Sequence, residues 1–390
     1  MTKEDPSDEV ALITDVDDEF DEDYEDPGSL TAGNVGGTVI YTLDWAVSTV
    51  VQQIDANPED PESVGVLVTD PPFQRRTAWT AEKQGLFLES LMLGLPVPPL
   101  VLAESKANEG QFYVLDGKQR LTSLKSFFDK QNPLKLRGLE LLKSELANKT
   151  YGEIRESKDL RKYTKSLLAQ PIRTIVVRNW ESPALLHLIF SRLNKASAPL
   201  ASHELRQAIY PGPFTNYVNK TSAESVQMLR ARRITKPDFR LRDAEMLLRY
   251  FSFKTNLPKY GGVLRDFLDR VLKGGNDHFE EIEGEIDRMF QDLEFAIDAT
   301  FKVFGKLAFL RFDAERGEFM PRFNVSVFEI MTWYFVDPTL VAKAIKKREA
   351  VKEAFKELCV TDGDFAQYLT STTKTKTAAI GRLKKWGSSR

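Results

Sequence analysis

The chain has 390 residues, a formal net charge of −3, 42% hydrophobic residues and one cysteine, Cys359. This length exceeds the usual size of one hydrophobic core and predicts two domains. A single cysteine excludes an internal disulfide framework and a multi-cysteine zinc site, and it fits a reducing compartment, so we expect a cytoplasmic location. The sequence has neither a secretory signal nor an apolar run of about 18 residues, which predicts no export and no membrane insertion.

Acidic residues are concentrated at the start of the chain. Residues 1–30 hold 13 acidic residues and one basic residue, which leaves 44 acidic and 53 basic residues in 31–390. Such a run has too few large apolar residues to offset its ordering entropy. We predict a disordered acidic tail over residues 1–36, which serves solubility or mimics nucleic acid within the molecule. The remaining body is basic enough to be compatible with polyanion binding.

The next part of the chain alternates between helix and strand signals. Thr42 is a candidate cap for a helix whose apolar face begins at Leu43. Thr80 is a candidate cap for a second helix, and the apolar face of that helix extends to Leu95. Predicted strands occupy residues 64–68, 100–103, 112–115 and 173–177. This alternation predicts a mixed α/β domain over residues 37–212.

Strand signals fade from about Phe214 onward, where long amphipathic stretches dominate. The longest of these runs from Phe279 to Phe304. We predict an all-α domain over residues 213–373, so that the whole chain has the α+β class. Residues 374–390 hold six basic and no acidic residues, and we predict a basic C-terminal tail there.

The strongest chemical signal is Asp116-Gly117-Lys118-Gln119-Arg120, where a predicted strand turns directly into a helix. Gly117 permits a close backbone approach, and the free amide groups at a helix N-terminus attract an anion. Lys118 and Arg120 add two cations beside those amides, and the planar guanidinium of Arg120 suits phosphate. The segment therefore predicts a phosphate site, although an Asp-Gly pair by itself is also typical of an ordinary turn.

Asp116 needs a different role, since a carboxylate repels phosphate. Three roles remain open on the residues alone. Asp116 caps the helix, holds a Mg²⁺ ion that bridges to phosphate oxygens, or orients an attacking water.

Two further segments are candidates for ligand binding. Gln74-Arg75-Arg76 lies between a Pro-rich strand exit and a helix near Trp79. Adjacent side chains point apart in extended chain, so one arginine can face a site while the other faces solvent. Asn194 ends a predicted helix, where it caps the helix or contacts a ligand. The structural alternatives are a surface salt bridge for the arginines and the cap for Asn194.

A dense cluster of cations follows in the predicted helical domain. Clusters of this kind contact the phosphate backbone of nucleic acids, but they are also typical of a solvated surface. We expect DNA binding at Arg230, Arg232, Arg233, Lys236 and Arg240.

Histidine and cysteine positions indicate no other chemistry. The three histidines, His187, His203 and His278, have no short ligand spacing among them, so no zinc site is expected. Cys359 lies in an apolar helical stretch and is expected in the core.

Several motifs occur in a fixed order between residues 40 and 210. They are Phe73-Gln74-Arg75, Glu89-Ser90-Leu91, Pro96-Val97-Pro98-Pro99, Val114–Thr122, Phe190–Asn194, Pro199-Leu200 and Glu204-Leu205-Arg206. This ordered set resembles the DGQQR-motif family. That family is similar to the ParB/sulfiredoxin superfamily, and it includes the N-terminal domain of GmrSD-type enzymes, which restrict modified phage DNA.

The resemblance implies a ParB/sulfiredoxin-like domain that binds and hydrolyses a nucleoside triphosphate with Mg²⁺. It also implies a role in a DNA-modification or anti-phage defence system, where hydrolysis regulates DNA cleavage by a separate nuclease or effector protein. The implied catalytic residues are Asp116, Gln119 and Arg120, with Asp116 as the metal ligand. The implied nucleotide-binding residues are Gln74, Arg75, Asp116, Gly117, Lys118, Arg120 and Asn194.

Two departures from the family pattern bear on function. Lys118 replaces the first glutamine of the motif, which adds a cation to the site. The nuclease half of the restriction enzymes needs a histidine-based metal finger, and His278 is the single histidine beyond residue 210. Two other functions therefore remain open: a non-catalytic ParB-like DNA or protein adaptor, and a ParB-like nuclease in which Asp116 holds the metal.

Overall fold

The computed structural model describes residues 36–54, 66–68, 79–106, 109–182, 185–186, 188–189, 192, 202–238, 240–370 and 375–388. The chain divides into two compact units that meet in sequence between Ile209 and Tyr210, and each has its own hydrophobic core. We call them the N-terminal unit and the helical unit. No helix in the described ranges has the length and apolar character needed to cross a membrane. The predicted acidic tail lies outside these ranges except for Gly36.

A five-stranded mixed sheet forms the centre of the N-terminal unit. Its order is β1-β5-β3-β4-β2, in which β5 is antiparallel to β1 and parallel to β3, while β4 is antiparallel to β3 and parallel to β2. Strand β3 is buried along its whole length, which is typical of a central strand. The strands are β1 (Val39–Ala46), β2 (Val66–Val68), β3 (Leu100–Glu104), β4 (Gln111–Asp116) and β5 (Pro171–Arg178).

Helices cover this sheet and supply much of its core. Helix α2 begins where Thr80 predicts, because the Thr80 hydroxyl accepts the backbone N–H of Lys83. Helix α3 buries Leu121 and Leu124 completely, as its apolar periodicity predicts. The described helices of this unit are α1 (Val47–Ile54), α2 (Ala81–Met92), α3 (Lys118–Phe128), α4 (Lys143–Leu146), α5 (Tyr151–Glu156), α6 (Arg161–Ala169) and α7 (Ser202–Ile209).

The helix predicted from Thr42 is wrong in its first half. Residues Val39–Ala46 form β1 and pair with β5 along their whole length, and the helix begins only at Val47. The β-branched and aromatic residues of this segment suit a strand, and pairing with a distant strand outweighs the helical spacing.

The apolar face predicted for α2 also ends earlier than expected. Helix α2 stops at Met92, and Gly94 follows with a φ of 73°. Leu95, predicted on the buried face, is 46% exposed. The left-handed conformation at Gly94 turns the chain away from the helix axis.

The helical unit confirms the α+β class of the whole chain and adds one feature that the sequence did not predict. An antiparallel hairpin of β6 (Leu310–Asp313) and β7 (Glu318–Phe323) places Phe312 and Phe323 in the helical core. The described helices are α8 (Pro213–Glu224), α9 (Val226–Arg232), α10 (Arg242–Asn256), α11 (Leu264–Asp277), α12 (Phe279–Phe304), α13 (Val325–Tyr334), α14 (Pro338–Lys346), α15 (Arg348–Thr361), α16 (Gly363–Thr370) and α17 (Lys376–Ser388).

Helix α17 occupies most of the segment predicted to be a basic tail. Trp386 is fully buried there and meets the ring of Phe355 edge-on, with 5.4 Å between ring centroids. Arg382 is also buried, and it shares the carboxylate of Glu329 with Arg249. Burial opposes ionisation of Glu329, but the charges of Arg249 and Arg382 outweigh it and lower the pKa of this carboxyl group. The segment is therefore part of the core.

Two helical glycines of the N-terminal unit differ in their surroundings. A Cβ added to Gly85 in α2 would lie 1.9 Å from the carbonyl oxygen of Arg137, whereas one added to Gly152 in α5 would meet nothing within 4 Å. We expect Gly85→Ala to lower the free energy of unfolding by about 1–3 kcal/mol through overpacking. Gly152→Ala should raise it by about 0.5 kcal/mol through helix propensity. Urea denaturation measures both, and equal effects would contradict the close packing at Gly85.

Candidate functional site

The turn between β4 and α3 consists of one residue. Strand β4 ends at Asp116, helix α3 begins at Lys118, and Gly117 connects them with a φ of 106°. A Cβ at Gly117 would lie 2.3 Å from Cδ2 of Leu100. Both the backbone angle and the packing therefore require glycine. The turn sets the free amide groups of α3 directly after the end of a sheet strand.

Arg120 folds back onto this turn. One terminal nitrogen of its guanidinium donates to Oδ2 of Asp116 and to the carbonyl oxygen of Pro99, each at 3.0 Å. The side chain of Arg120 is 9% exposed, and that of Asp116 is 33% exposed. The Nε–H of Arg120 is buried and has no hydrogen-bond partner among the described residues. Arg120 is thus fixed by a carboxylate, and its Nε–H is left for a further acceptor.

The carboxylate of Asp116 accepts a hydrogen bond from Arg120, a role that the sequence did not suggest. Helix α3 has no side-chain cap, so the capping role does not apply. No group of three or more His, Cys, Asp or Glu side chains in the described ranges is arranged to hold a metal ion. Asp116 can therefore supply one carboxylate, and this suits Mg²⁺, which takes most of its ligands from water and phosphate.

Lys118 is paired inside the N-terminal unit. Its Nζ lies 3.3 Å from Oε1 of Glu204 in α7, and both side chains are buried. The cation that Lys118 adds to the motif is therefore balanced by the carboxylate of Glu204. Two motifs that are 86 residues apart in sequence form one ion pair here.

Gln119 connects the turn to the start of α2. Its Oε1 accepts the backbone N–H of Trp79 at 3.3 Å. The structure thus brings Asp116, Gly117, Lys118, Gln119 and Arg120 together at one turn. The other predicted nucleotide-binding residues, Gln74, Arg75 and Asn194, lie outside the described residues.

Comparison with protein families gives one match. Residues 48–211 match the family model of the GmrSD restriction endonuclease, N-terminal domain. This part of the chain resembles that domain. Neither the curated proteins nor the solved structures contain a match. The GmrSD-like region, as we call residues 48–211, includes the turn at Gly117 and both members of the Lys118–Glu204 pair.

Glu89 is a residue of the GmrSD-like region whose role sequence reasoning missed. Its buried carboxylate accepts the backbone N–H groups of Glu140, Leu141 and Leu142 at 3.0, 2.9 and 2.7 Å. Hydrogen bonds to a charged group contribute about 1.5–3 kcal/mol each. The place of Glu89 in the motif Glu89-Ser90-Leu91 was the available signal in the sequence.

The cations predicted to bind DNA differ in accessibility. Arg232 is 2% exposed and lies 2.7 Å from Oδ2 of Asp238, which Arg242 also contacts at 2.9 Å. Burial opposes ionisation of Asp238, but the two arginines outweigh it and lower its pKa. Arg232 is therefore corrected from a surface residue to a core residue. Of the others, Arg230 and Lys236 are exposed, and Arg233 and Arg240 are half-buried.

The buried Lys118–Glu204 pair has a matched surface pair in the same unit. Arg173 and Asp44 are also 3.3 Å apart, but both are largely exposed. We expect a double-mutant cycle with Lys118→Gln and Glu204→Gln to give a coupling energy of about 1–3 kcal/mol. The cycle with Arg173→Gln and Asp44→Asn should give less than about 1 kcal/mol, because water screens that pair. Urea denaturation supplies the free energies of unfolding, and equal couplings would contradict a buried pair.

Proposed function

We propose that the GmrSD-like region binds a nucleoside triphosphate with Mg²⁺ at the turn from Asp116 to Arg120 and hydrolyses it, and that hydrolysis regulates DNA restriction by a separate effector protein. The observation that carries this proposal is the state of Arg120. It is buried at the start of a helix and anchored by Asp116, and its buried Nε–H has no described partner. A guanidinium held in this way is positioned before the ligand arrives and makes strong charge-assisted hydrogen bonds to phosphate.

Each residue of the turn has a distinct part in the proposal. The amide groups that follow Gly117 bind phosphate oxygens, because the N-terminus of α3 attracts negative charge. Arg120 donates its Nε–H to phosphate, and Asp116 holds the metal ion. Gln119 keeps the start of α2 in place through its bond to Trp79. Mg²⁺, when bound, neutralises charge on the phosphates that the chain itself cannot neutralise.

The biological setting in the proposal comes from the family match and from the histidine count. The matched family is the N-terminal domain of a restriction endonuclease. The chain has a single histidine, His278, after residue 210. We therefore assign DNA cleavage to a separate nuclease or effector, and nucleotide-dependent control to this protein.

Arg120→Ala tests the nucleotide site. We expect the affinity for nucleoside triphosphate to fall by at least about tenfold, which corresponds to about 1.4 kcal/mol, because a charge-assisted bond to phosphate is lost. Asp116→Asn should retain binding but lose Mg²⁺-dependent phosphate release. Isothermal titration calorimetry and a phosphate-release assay measure the two effects for each of the common triphosphates.

Arg173→Ala is the control, because Arg173 is an exposed arginine of the same unit. Thermal denaturation of every variant verifies folding. Nucleotide affinity that is the same in folded Arg120→Ala and in the wild type would refute the site.

The proposal also includes DNA contact by the exposed cations of the helical unit. Arg230 and Lys236 are both exposed. Arg230 contacts the ring of Phe301 and lies near Asp298. We expect Lys236→Ala to weaken DNA binding and to reduce the slope of log affinity against log salt by about 1. Lys220→Ala, which removes an exposed lysine outside the cluster, serves as the control in fluorescence anisotropy titrations. An identical slope for wild type and Lys236→Ala would exclude this surface.

A further inference from the structure

The helical unit contains a pocket of about 710 Å³ that the proposed function does not use. It is lined by residues of α8, α10, α11 and α12 and by the segment between α10 and α11. Its volume lies within the range of about 300–1,000 Å³ that is usual for sites of small organic ligands. The pocket is open to the surface and needs no rearrangement for entry.

The floor of the pocket is apolar. Phe214, Phe251, Phe267 and Ile286 are buried side chains of the helical core that also line it. The rings of Phe214 and Phe251 lie with their centroids 6.1 Å apart. Val271 and Ile282 also line the pocket and are only partly buried, so their apolar surface loses contact with water when the ring of a ligand covers it.

Two adjacent glycines in α11 shape the pocket in different ways. A Cβ at Gly275 would lie 2.2 Å from Cδ1 of Phe214, so Gly275 lets that ring pack against the helix. A Cβ at Gly274 would meet nothing within 4 Å, although Gly274 lines the pocket. Glycine inside a helix costs about 0.5–1 kcal/mol relative to alanine. Packing explains this cost at Gly275, whereas at Gly274 the space beside the backbone is empty, so a larger side chain can be introduced there.

Charged groups surround the apolar floor. Lys259 and Arg270 line the pocket, and the structure gives neither an ion pair with a carboxylate of the described residues. Arg270 donates only to the backbone oxygen of Asp266 in its own helix. Glu281 and Glu285 contribute two carboxylates from the start of α12, one helical turn apart. Cations and carboxylates thus come from different segments of the chain.

We propose that this pocket binds a small ring compound that carries an anionic group and a hydrogen-bond donor. The ring lies on the apolar floor, the anionic group pairs with Lys259 and Arg270, and the donor contacts Glu281 or Glu285. Mononucleotides and free aromatic amino acids share this chemistry. A phosphate or carboxylate supplies the anion in each case, and amino or ring N–H groups supply the donor.

The first experiment titrates the full chain with anilinonaphthalene sulfonate, a fluorescent ring compound that has both an anionic group and an N–H. Gly274→Trp places a large side chain in the pocket from a position where an added Cβ meets nothing within 4 Å. Gly284→Trp is the matched control, because Gly284 is a helical glycine whose added Cβ also meets nothing within 4 Å but which does not line the pocket. We expect saturable binding that weakens at least about tenfold in Gly274→Trp and is unchanged in Gly284→Trp.

Charge reversal and competition complete the test. Lys259→Glu should weaken probe binding, because it replaces a cation with a carboxylate that repels the sulfonate of the probe. Competition identifies the class of ligand that displaces the probe. One arm uses adenosine and cytidine monophosphates, and the other uses tryptophan and tyrosine. Only the signal that Gly274→Trp removes is scored, so nucleotide binding at Asp116–Arg120 does not affect the outcome. Equal binding in the two tryptophan variants, or displacement by neither class, would overturn the proposal.

Discussion

The one-residue turn at Gly117 is the constraint on which the arrangement of the N-terminal unit depends. Because β4 passes into α3 without an intervening loop, the helix axis is fixed by the end of the strand. Leu100 fills the space where a Cβ would be, and Arg120 reaches back from the first turn of the helix to Asp116 and Pro99. The same contacts that stabilise the turn position a guanidinium at a helix N-terminus, so structure and proposed chemistry share their residues.

Buried charges join parts of the chain that are distant in sequence. Lys118 meets Glu204, Glu89 receives three amide groups, and Glu329 lies between Arg249 and Arg382. Removing a charge from water is costly, and the attraction between the partners offsets that cost only when the geometry is good. Removal of one partner from such a pair is strongly destabilising, because it leaves a buried charge uncompensated.

Glycines of the same helix can have different surroundings. At Gly85 and Gly275 a neighbouring atom occupies the place of a Cβ, so glycine is a packing requirement. At Gly274 the neighbouring space is empty, and the residue lines a pocket. The sequence does not distinguish Gly274 from Gly275, and only the folded structure shows how their surroundings differ.

The sequence by itself determined the features that depend on neighbouring residues. The Thr80 cap, the strand–turn–helix at Asp116–Arg120, the long helix from Phe279 to Phe304 and the α+β class all follow from local hydrogen bonding and hydrophobic periodicity. The ordered motifs also indicated the resemblance that the family match supports.

Tertiary structure decided which residues are buried and which charges are paired. Residues Val39–Ala46 form a strand because they pair with β5. The basic end of the chain forms a helix that packs on the core through the contact of Trp386 with Phe355. Arg232 and Lys118 belong to residue types that usually lie at the surface. Here both are buried, and each forms an ion pair, Arg232 with Asp238 and Lys118 with Glu204. Sequence spacing does not encode such partners, since the interaction depends on distances across the fold and not along the chain.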